Sequence, residues 1–331
     1  MKAYITNIAY VLPKHVEDNP QNRLTKKTGI LRRHICTDEE TASDLAYKAA
    51  EKLFSEGVNR KNIDFLVLCT QSPDYYLPTT ACILQDRLQL STECGAFDYN
   101  LGCSGYIYGL SIAKGFIESE QAKNVLLITA ETYSKHINEK DNTVLPLFGD
   151  AATATLISGC DEHKSGLDGF VLGTNGAGYD NLIVPVGGMR QMFGKTEISE
   201  ETDQFDNYRT NLNLYMNGSA ISDFALEVVP ETVEKILLKT ILRKEDIDYF
   251  VFHQANKFML EYLQTKCDLQ DYPYWNDVQE YGNTVSCSIP IALVDMLEAN
   301  KGKDIKKVLS VGFGVGLSWG GCIINLEKWC K

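Results

Sequence analysis

Ile63-Asp64-Phe65-Leu66-Val67-Leu68-Cys69-Thr70-Gln71 and Ile247-Asp248-Tyr249-Phe250-Val251-Phe252-His253-Gln254 read as one strand written twice, 184 residues apart. Each is a short apolar run, the pattern of a strand with both faces covered. At the same spacing Cys103 falls opposite Cys287. The stretches Phe97 to Ile117 and Glu280 to Met296 share a design: a short polar and glycine turn, a cysteine, then a helical apolar run. Val125-Leu126-Leu127-Ile128 and Val308-Leu309-Ser310-Val311 follow as near-matching strands, 183 residues apart. Four features at nearly one spacing predict two similar α/β halves, 1–168 and 169–331, joined into one body.

The segment after Cys103 is apolar nearly all round, which predicts a helix buried in the middle. Gly105, Gly109 and Gly115 weaken a solvated helix; in a buried one they admit close neighbours. A chain of 331 residues, 44% hydrophobic and 23% charged, builds a core without disulfides or metals. The ten cysteines are scattered with no C-x-x-C pair, as reduced core residues are. A net charge of −12 argues against nucleic acid and anionic membrane partners. No apolar stretch reaches the roughly 18 residues that span a bilayer, and the N-terminus reads as a strand without a signal peptide's h-region. A soluble, cytoplasmic protein is expected.

Three residues stand out chemically. Cys103, in Leu101-Gly102-Cys103-Ser104-Gly105, sits at the predicted N-terminus of the central helix, where unpaired N–H groups favour thiolate. His253 ends an apolar strand, where open α/β sheets carry their chemistry, although a core histidine reads the same way. Asn283, in Tyr281-Gly282-Asn283-Thr284, is ordinary turn chemistry in isolation. The repeat brings all three loops to one face. Gly312-Phe313-Gly314-Val315-Gly316-Leu317-Ser318-Trp319-Gly320 lacks the lysine of a phosphate loop and predicts a tight turn that aims N–H groups at an oxyanion. Phe148-Gly149-Asp150-Ala151-Ala152 reads as a sharp turn packed against it.

Cys103, then His253-Gln254-Ala255-Asn256, then Gly282-Asn283-Thr284, then the glycine-rich end resembles the β-ketoacyl-acyl-carrier-protein synthase III family. Lys27-Thr28-Gly29-Ile30, Arg32-Arg33-His34-Ile35, Gly173-Thr174-Asn175-Gly176 and Val184-Pro185-Val186-Gly187-Gly188 extend the likeness over nearly the whole chain. The resemblance implies a thiolase-like, five-layered αβαβα homodimer without cofactor or metal. It implies that Cys103 takes an acyl group from an acyl-CoA or acyl-carrier-protein thioester. His253 and Asn283 then decarboxylate malonyl-carrier protein, and the carbanion attacks the acyl-cysteine. It assigns the oxyanion hole to the backbone of Cys103 and Val315, and substrate contacts to Arg23, Lys27, Leu77, Asn256 and Lys257.

Several positions depart from the family pattern. Arg23 stands where the family has a Trp that stacks on adenine, Asp141 where it has an Arg, and Phe258 and Asp223 where it has basic docking residues. Leu77, in Asp74-Tyr75-Tyr76-Leu77-Pro78-Thr79, stands where Phe is common in the loop that closes the partner's acyl pocket. These changes leave room for a thiolase-fold acyltransferase that passes the acyl group to a non-malonyl acceptor. They also leave room for a non-catalytic partner subunit, although such partners lose the nucleophile. Degradative thiolases use a second cysteine near the C-terminal glycines, where this chain has Cys322.

Overall fold

The computed structural model describes residues 1–161 and 165–326. A first sheet contains β1 (Lys2–Val11), β4 (Phe65–Cys69), β5 (Gly95–Tyr99), β6 (Asn124–Glu131) and β7 (Ala151–Cys160). A second contains β8 (Leu167–Thr174), β13 (Tyr249–Phe252), β14 (Lys307–Gly314) and β15 (Ser318–Asn325). The spatial orders are β1-β7-β6-β4-β5 and β8-β15-β14-β13. Four strands of the first sheet therefore have counterparts in the second: the parallel pairs β4–β6 and β13–β14 correspond, and each is continued by two antiparallel strands, β7 and β1 or β15 and β8. Where β5 runs beside β4, the second sheet has only a parallel bridge from Phe250 to Tyr274. Three small pairs lie outside the sheets: β2 (His15–Asp18) with β3 (Arg32–Ile35), β9 (Leu182–Ile183) with β12 (Tyr215–Met216), and β10 (Glu200–Thr202) with β11 (Tyr208–Thr210).

The helices supply the other layers. α2 (Ala42–Ser55) and α3 (Thr80–Arg87) cover the outer face of the first sheet. α5 (Gly218–Thr240) and α6 (Lys257–Lys266) cover the outer face of the second. α4 (Gly105–Glu118) and α8 (Ser288–Ala299), the apolar runs after Cys103 and Cys287, lie between the sheets and touch both. The short α1 (Arg23–Thr28) packs on α6, and α7 (Val278–Tyr281) on β3. The architecture is the expected thiolase-like αβαβα, two pseudo-repeated halves stacked around a shared helical layer.

The sequence explains why α4 is the centre. Tyr106, Ile107, Leu110, Ala113 and Ile117 are fully buried and pack on both sheets. Two of its glycines are steric requirements. A Cβ on Gly105 would come 2.3 Å from Cys69 Sγ, and one on Gly109 would come 2.4 Å from Tyr99 Oη and 2.6 Å from Leu127. Gly115 is different: nothing lies within 4 Å of its would-be Cβ, so close packing does not explain it. Among the described residues no helix is long and apolar enough to cross a membrane.

The contrast is testable. Gly109→Ala is expected to destabilise by about 1–3 kcal/mol through overpacking, whereas Gly115→Ala is expected to stabilise by roughly 0.5–1 kcal/mol through helix propensity. Denaturant midpoints of the two variants against the parent check both signs.

Candidate active site

Cys103 lies on the turn between β5 and α4, two residues before the helix, with Ser104 at the cap. Its own backbone N–H and that of Val315, which crosses over from the β14–β15 hairpin, lie close enough to Sγ to favour its anion. Three glycines make this approach possible. A Cβ on Gly314 would sit 2.9 Å from Cys103 Sγ, and one on Gly312 would sit 2.6 Å from the Cys103 carbonyl oxygen. A Cβ on Gly102 would strike Gln71 Oε1 and Val315 Cγ1 at 2.6 Å and lie 3.3 Å from Val285. The hairpin is also tied down by a 2.6 Å contact between Ser104 Oγ and Ser318 Oγ. The glycine-rich end thus clears space for the backbone around Cys103 as well as directing an N–H at it.

His253 follows β13 directly, its N–H donating to Val311 O of β14 at 2.9 Å. Its ring stands edge-on to Phe313, centroids 5.4 Å apart, and Nδ1 lies 2.7 Å from Ser288 Oγ. Phe313 sits between Gly312 and Gly314, so it links the histidine to the Cys103 turn. Asn283 is clasped on both sides: its N–H donates to Leu147 O and its carbonyl accepts from Gly149 N. Its Oδ1 accepts from Val285 N at 2.9 Å, which holds the carboxamide and leaves the NH₂ group as its free donor. Val285, whose side chain faces Gly102, carries a left-handed φ of 54°. The loops of Cys103, His253 and Asn283 therefore meet, Phe313 linking the first two and Val285 the first and third. The Phe148–Ala152 turn also binds the Asn283 loop, where a Cβ on Gly149 would lie 2.4 Å from Tyr281 O, and Phe148 shares a core cluster with Phe313 and Leu317 of the glycine hairpin.

Burial dominates the electrostatics. It pushes the Cys103 thiol up to about 12, against the lowering pull of the two N–H groups. The expectation of a thiolate fails for the unliganded site because desolvation outweighs the helix terminus. Burial lowers His253 to about 3, so the ring is neutral over the physiological range. Glu131, at the end of β6, is fully buried and raised to about 8, again chiefly by desolvation. Its carboxyl receives Gln71 N at 3.0 Å and meets Ser286 Oγ at 2.7 Å. It thereby pins the loop leading to Leu77 against the loop between Asn283 and α8.

The remaining predicted contacts are less direct. Asn256 caps α6, its Oδ1 accepting from Met259 N at 2.9 Å. The Lys257 stem packs against Gly29, whose φ of 70° ends α1, and its Nζ lies 3.7 Å from Glu261. Lys27 Nζ stands 4.8 Å over the ring of half-exposed Phe258, while Arg23 is exposed at the start of α1. Asp141 is buried, 3.7 Å from Arg209, and its Oδ1 binds the Thr143 N–H at 3.0 Å, so it braces a turn. Tyr76 and Leu77 are 76% and 87% exposed on the tip of their loop. Cys322 is buried in the core around α4 and α8, apart from the Cys103 cluster.

Sequence reasoning missed Glu131 and Ser288. A charge directly ending the apolar run Val125–Ala130 was a signal for the first; a serine starting an apolar helix is too common to have marked the second. Among the described residues no cluster of side chains could hold a metal.

Five layers and a cysteine, a histidine and an asparagine gathered at one glycine hairpin define a thiolase-fold acyltransferase. The family profiles "3-Oxoacyl-[acyl-carrier-protein (ACP)] synthase III" and its C-terminal counterpart match residues 97–176 and 237–326. A β-ketoacyl-[acyl-carrier-protein] synthase III of Clostridioides difficile is 37% identical over 99% of this chain and 98% of its own. A putative 3-oxoacyl-[acyl-carrier-protein] synthase 3 of Campylobacter jejuni is 35% identical over 98% and 94%. A crystal structure of a 3-oxoacyl-(acyl-carrier-protein) synthase III superposes with a TM-score of 0.94 at 43% identity, covering 98% of this chain and all of that one. That of the Burkholderia xenovorans synthase gives 0.87 at 33%, covering 99% and 95%. The chain belongs to the β-ketoacyl-acyl-carrier-protein synthase III family of condensing enzymes.

Glu131 yields a pH prediction. Its folded-state value near 8 lies above the ordinary 4.5, so the folded chain holds a proton that the unfolded chain has lost. Stability from this group is full below about 4.5 and declines as pH rises to about 8. Glu131→Gln keeps the shape and has no proton to lose. Its stability relative to the parent should therefore rise between pH 5 and 8, as read by denaturant unfolding at each pH.

Proposed function

We propose that this enzyme takes an acyl group from an acyl-CoA or acyl-carrier-protein thioester onto Cys103 and condenses it with malonyl-carrier protein. The observation that carries this reading is the pair of N–H groups, from Cys103 and Val315, converging on the Cys103 sulfur. In the first step Cys103 Sγ attacks the donor carbonyl. The negative oxygen is held by the two N–H groups, and the donor thiol leaves with the proton the cysteine gave up. In the second, the malonyl carbon–carboxylate bond breaks, carbon dioxide departs, and the electron pair forms an enolate. A neutral imidazole and the Asn283 carboxamide stabilise the enolate oxygen without being consumed. The enolate carbon then attacks the acyl carbonyl, the carbon–sulfur bond to Cys103 breaks, the β-ketoacyl thioester is released, and the departing thiolate takes a proton from solvent to restore the thiol.

The halves 1–168 and 169–331 divide this labour, the nucleophile coming from one and the decarboxylating pair from the other. The enzyme works as a homodimer, with Leu77 closing the partner's acyl pocket. The exposed Tyr75–Leu77 tip and the position of β5 at the end of its sheet support that assembly. The donor handle is altered. Asp141 braces a turn where the family stacks an Arg, and Phe258 offers a ring beside Lys27 where the family docks with a charge.

Separating the half-reactions tests the roles. Cys103→Ala should form no acyl-enzyme while staying folded. His253→Ala and Asn283→Ala should still acylate Cys103 but lose decarboxylation by roughly 10²–10³-fold. Full condensation by either variant would remove that residue from the mechanism.

Leu77 sets chain length in the same reading. Leu77→Phe should favour acetyl and Leu77→Ala longer acyl donors, since a methylene or two is worth about 1–3 kcal/mol in such a pocket. Acylation rates from acetyl to decanoyl donors check the shift, and a monomer in solution would refute the shared pocket.

A further inference from the structure

Ser288 opens α8 with its hydroxyl buried against the back of His253. Three groups surround Oγ: His253 Nδ1 at 2.7 Å, Val285 O at 3.0 Å and Gln254 N at 3.4 Å. A hydroxyl has one proton to give, so only two arrangements satisfy this triangle. In one, Ser288 donates to Val285 O. The histidine must then carry its proton on Nδ1 and donate to Ser288, which leaves Nε2 as a bare lone pair. In the other, Ser288 donates to Nδ1, Oγ accepts from the Gln254 N–H, and the ring proton sits on Nε2.

Backbone accounting permits the second, and the chemistry decides for it. Val285 O already accepts the backbone N–H of Ser288. It therefore keeps a partner when the serine hydroxyl turns to the histidine, and the second arrangement strands no polar group. The chemistry proposed above requires the same choice. A bare Nε2 lone pair repels a developing enolate oxygen, whereas Nε2–H donates to it. The ring cannot escape the choice by protonating, because burial keeps it neutral.

We propose that Ser288 is a positioning residue that donates its hydroxyl proton to His253 Nδ1 and thereby fixes the Nε2–H tautomer needed to stabilise the malonyl-derived enolate. The role is one of hydrogen-bond direction: no bond to Ser288 is made or broken in the reaction. This rests on the decarboxylating role given to His253, but the direction of the hydrogen bond can be read without any turnover.

The test uses the full-length enzyme with ¹⁵N-labelled histidine. Two-bond ¹H–¹⁵N correlation spectra report the tautomer of each ring, and loss of one set of signals in His253→Ala assigns His253 among the five histidines. The parent should show His253 as the Nε2–H form. Ser288→Ala, which removes the donor, should populate both tautomers. It should also slow malonyl thioester decarboxylation by about tenfold or more, given that a wrong tautomer alone can cost up to roughly 10⁴ in turnover in a hydrolase triad. Acylation of Cys103 should be unaffected, and Ser288→Thr, which keeps the hydroxyl, should restore the tautomer. Parent enzyme with His253 in the Nδ1–H form would overturn the proposal, as would Ser288→Ala with tautomer and decarboxylation unchanged. A parent spectrum in the Nε2–H form with no malonyl decarboxylation would instead refute the proposed reaction and leave the serine's hydrogen bond standing.

Discussion

The structure depends on one close approach. The backbone of β14, from the second half, presses on the Cys103 turn of the first with no side chain between them. Gly312 and Gly314 permit it: a single methyl group at either would overlap the backbone or the sulfur of Cys103. That contact brings the Val315 N–H to the sulfur and Phe313 to the His253 ring. Everything else at the site is arranged around it, including the Ser104–Ser318 contact that fastens the hairpin from behind.

The site is dry and its charges are suppressed. Desolvation raises the thiol, lowers the imidazole and keeps the Glu131 carboxyl protonated around neutrality. In the proposed mechanism decarboxylation gains from this, because fixed N–H donors act on a developing oxyanion most strongly where water is excluded. The cysteine would meet the opposite demand, since its thiolate is disfavoured until the donor carbonyl arrives to accept the electrons. In that mechanism two backbone donors then act on the acyl oxygen rather than on the resting sulfur. Glu131 belongs to the same economy of charge: as a neutral acid it joins two loops without setting a carboxylate beside the nucleophile.

Much of this was legible in the sequence. The repeated strands at Ile63 and Ile247 and the matched cysteines fixed the two-halved architecture, because a period and an apolar pattern survive without coordinates. The placement of Cys103, His253 and Asn283 on corresponding loops of the repeat was legible for the same reason. Gly105 and Gly109 were read correctly as points of close approach, while Gly115 was not, since sequence cannot tell which side of a helix has a neighbour. The thiolate expectation failed because burial depth is a tertiary property. Asn256, Asp141 and Phe148–Ala152 show a related limit. Each was readable as site or turn, but whether a side chain caps a helix, braces a loop or meets a substrate depends on partners more than a hundred residues away in some cases, as Phe148 and Asn283 are.

The central claim is that Cys103 is the acyl acceptor held under the glycine hairpin. Intact-protein mass spectrometry after incubation with a panel of acyl thioesters, followed by peptide mapping, tests it most directly. One acyl group per chain, carried on the peptide that contains Cys103, is the predicted result. An adduct on another cysteine, or none with any donor, would contradict it.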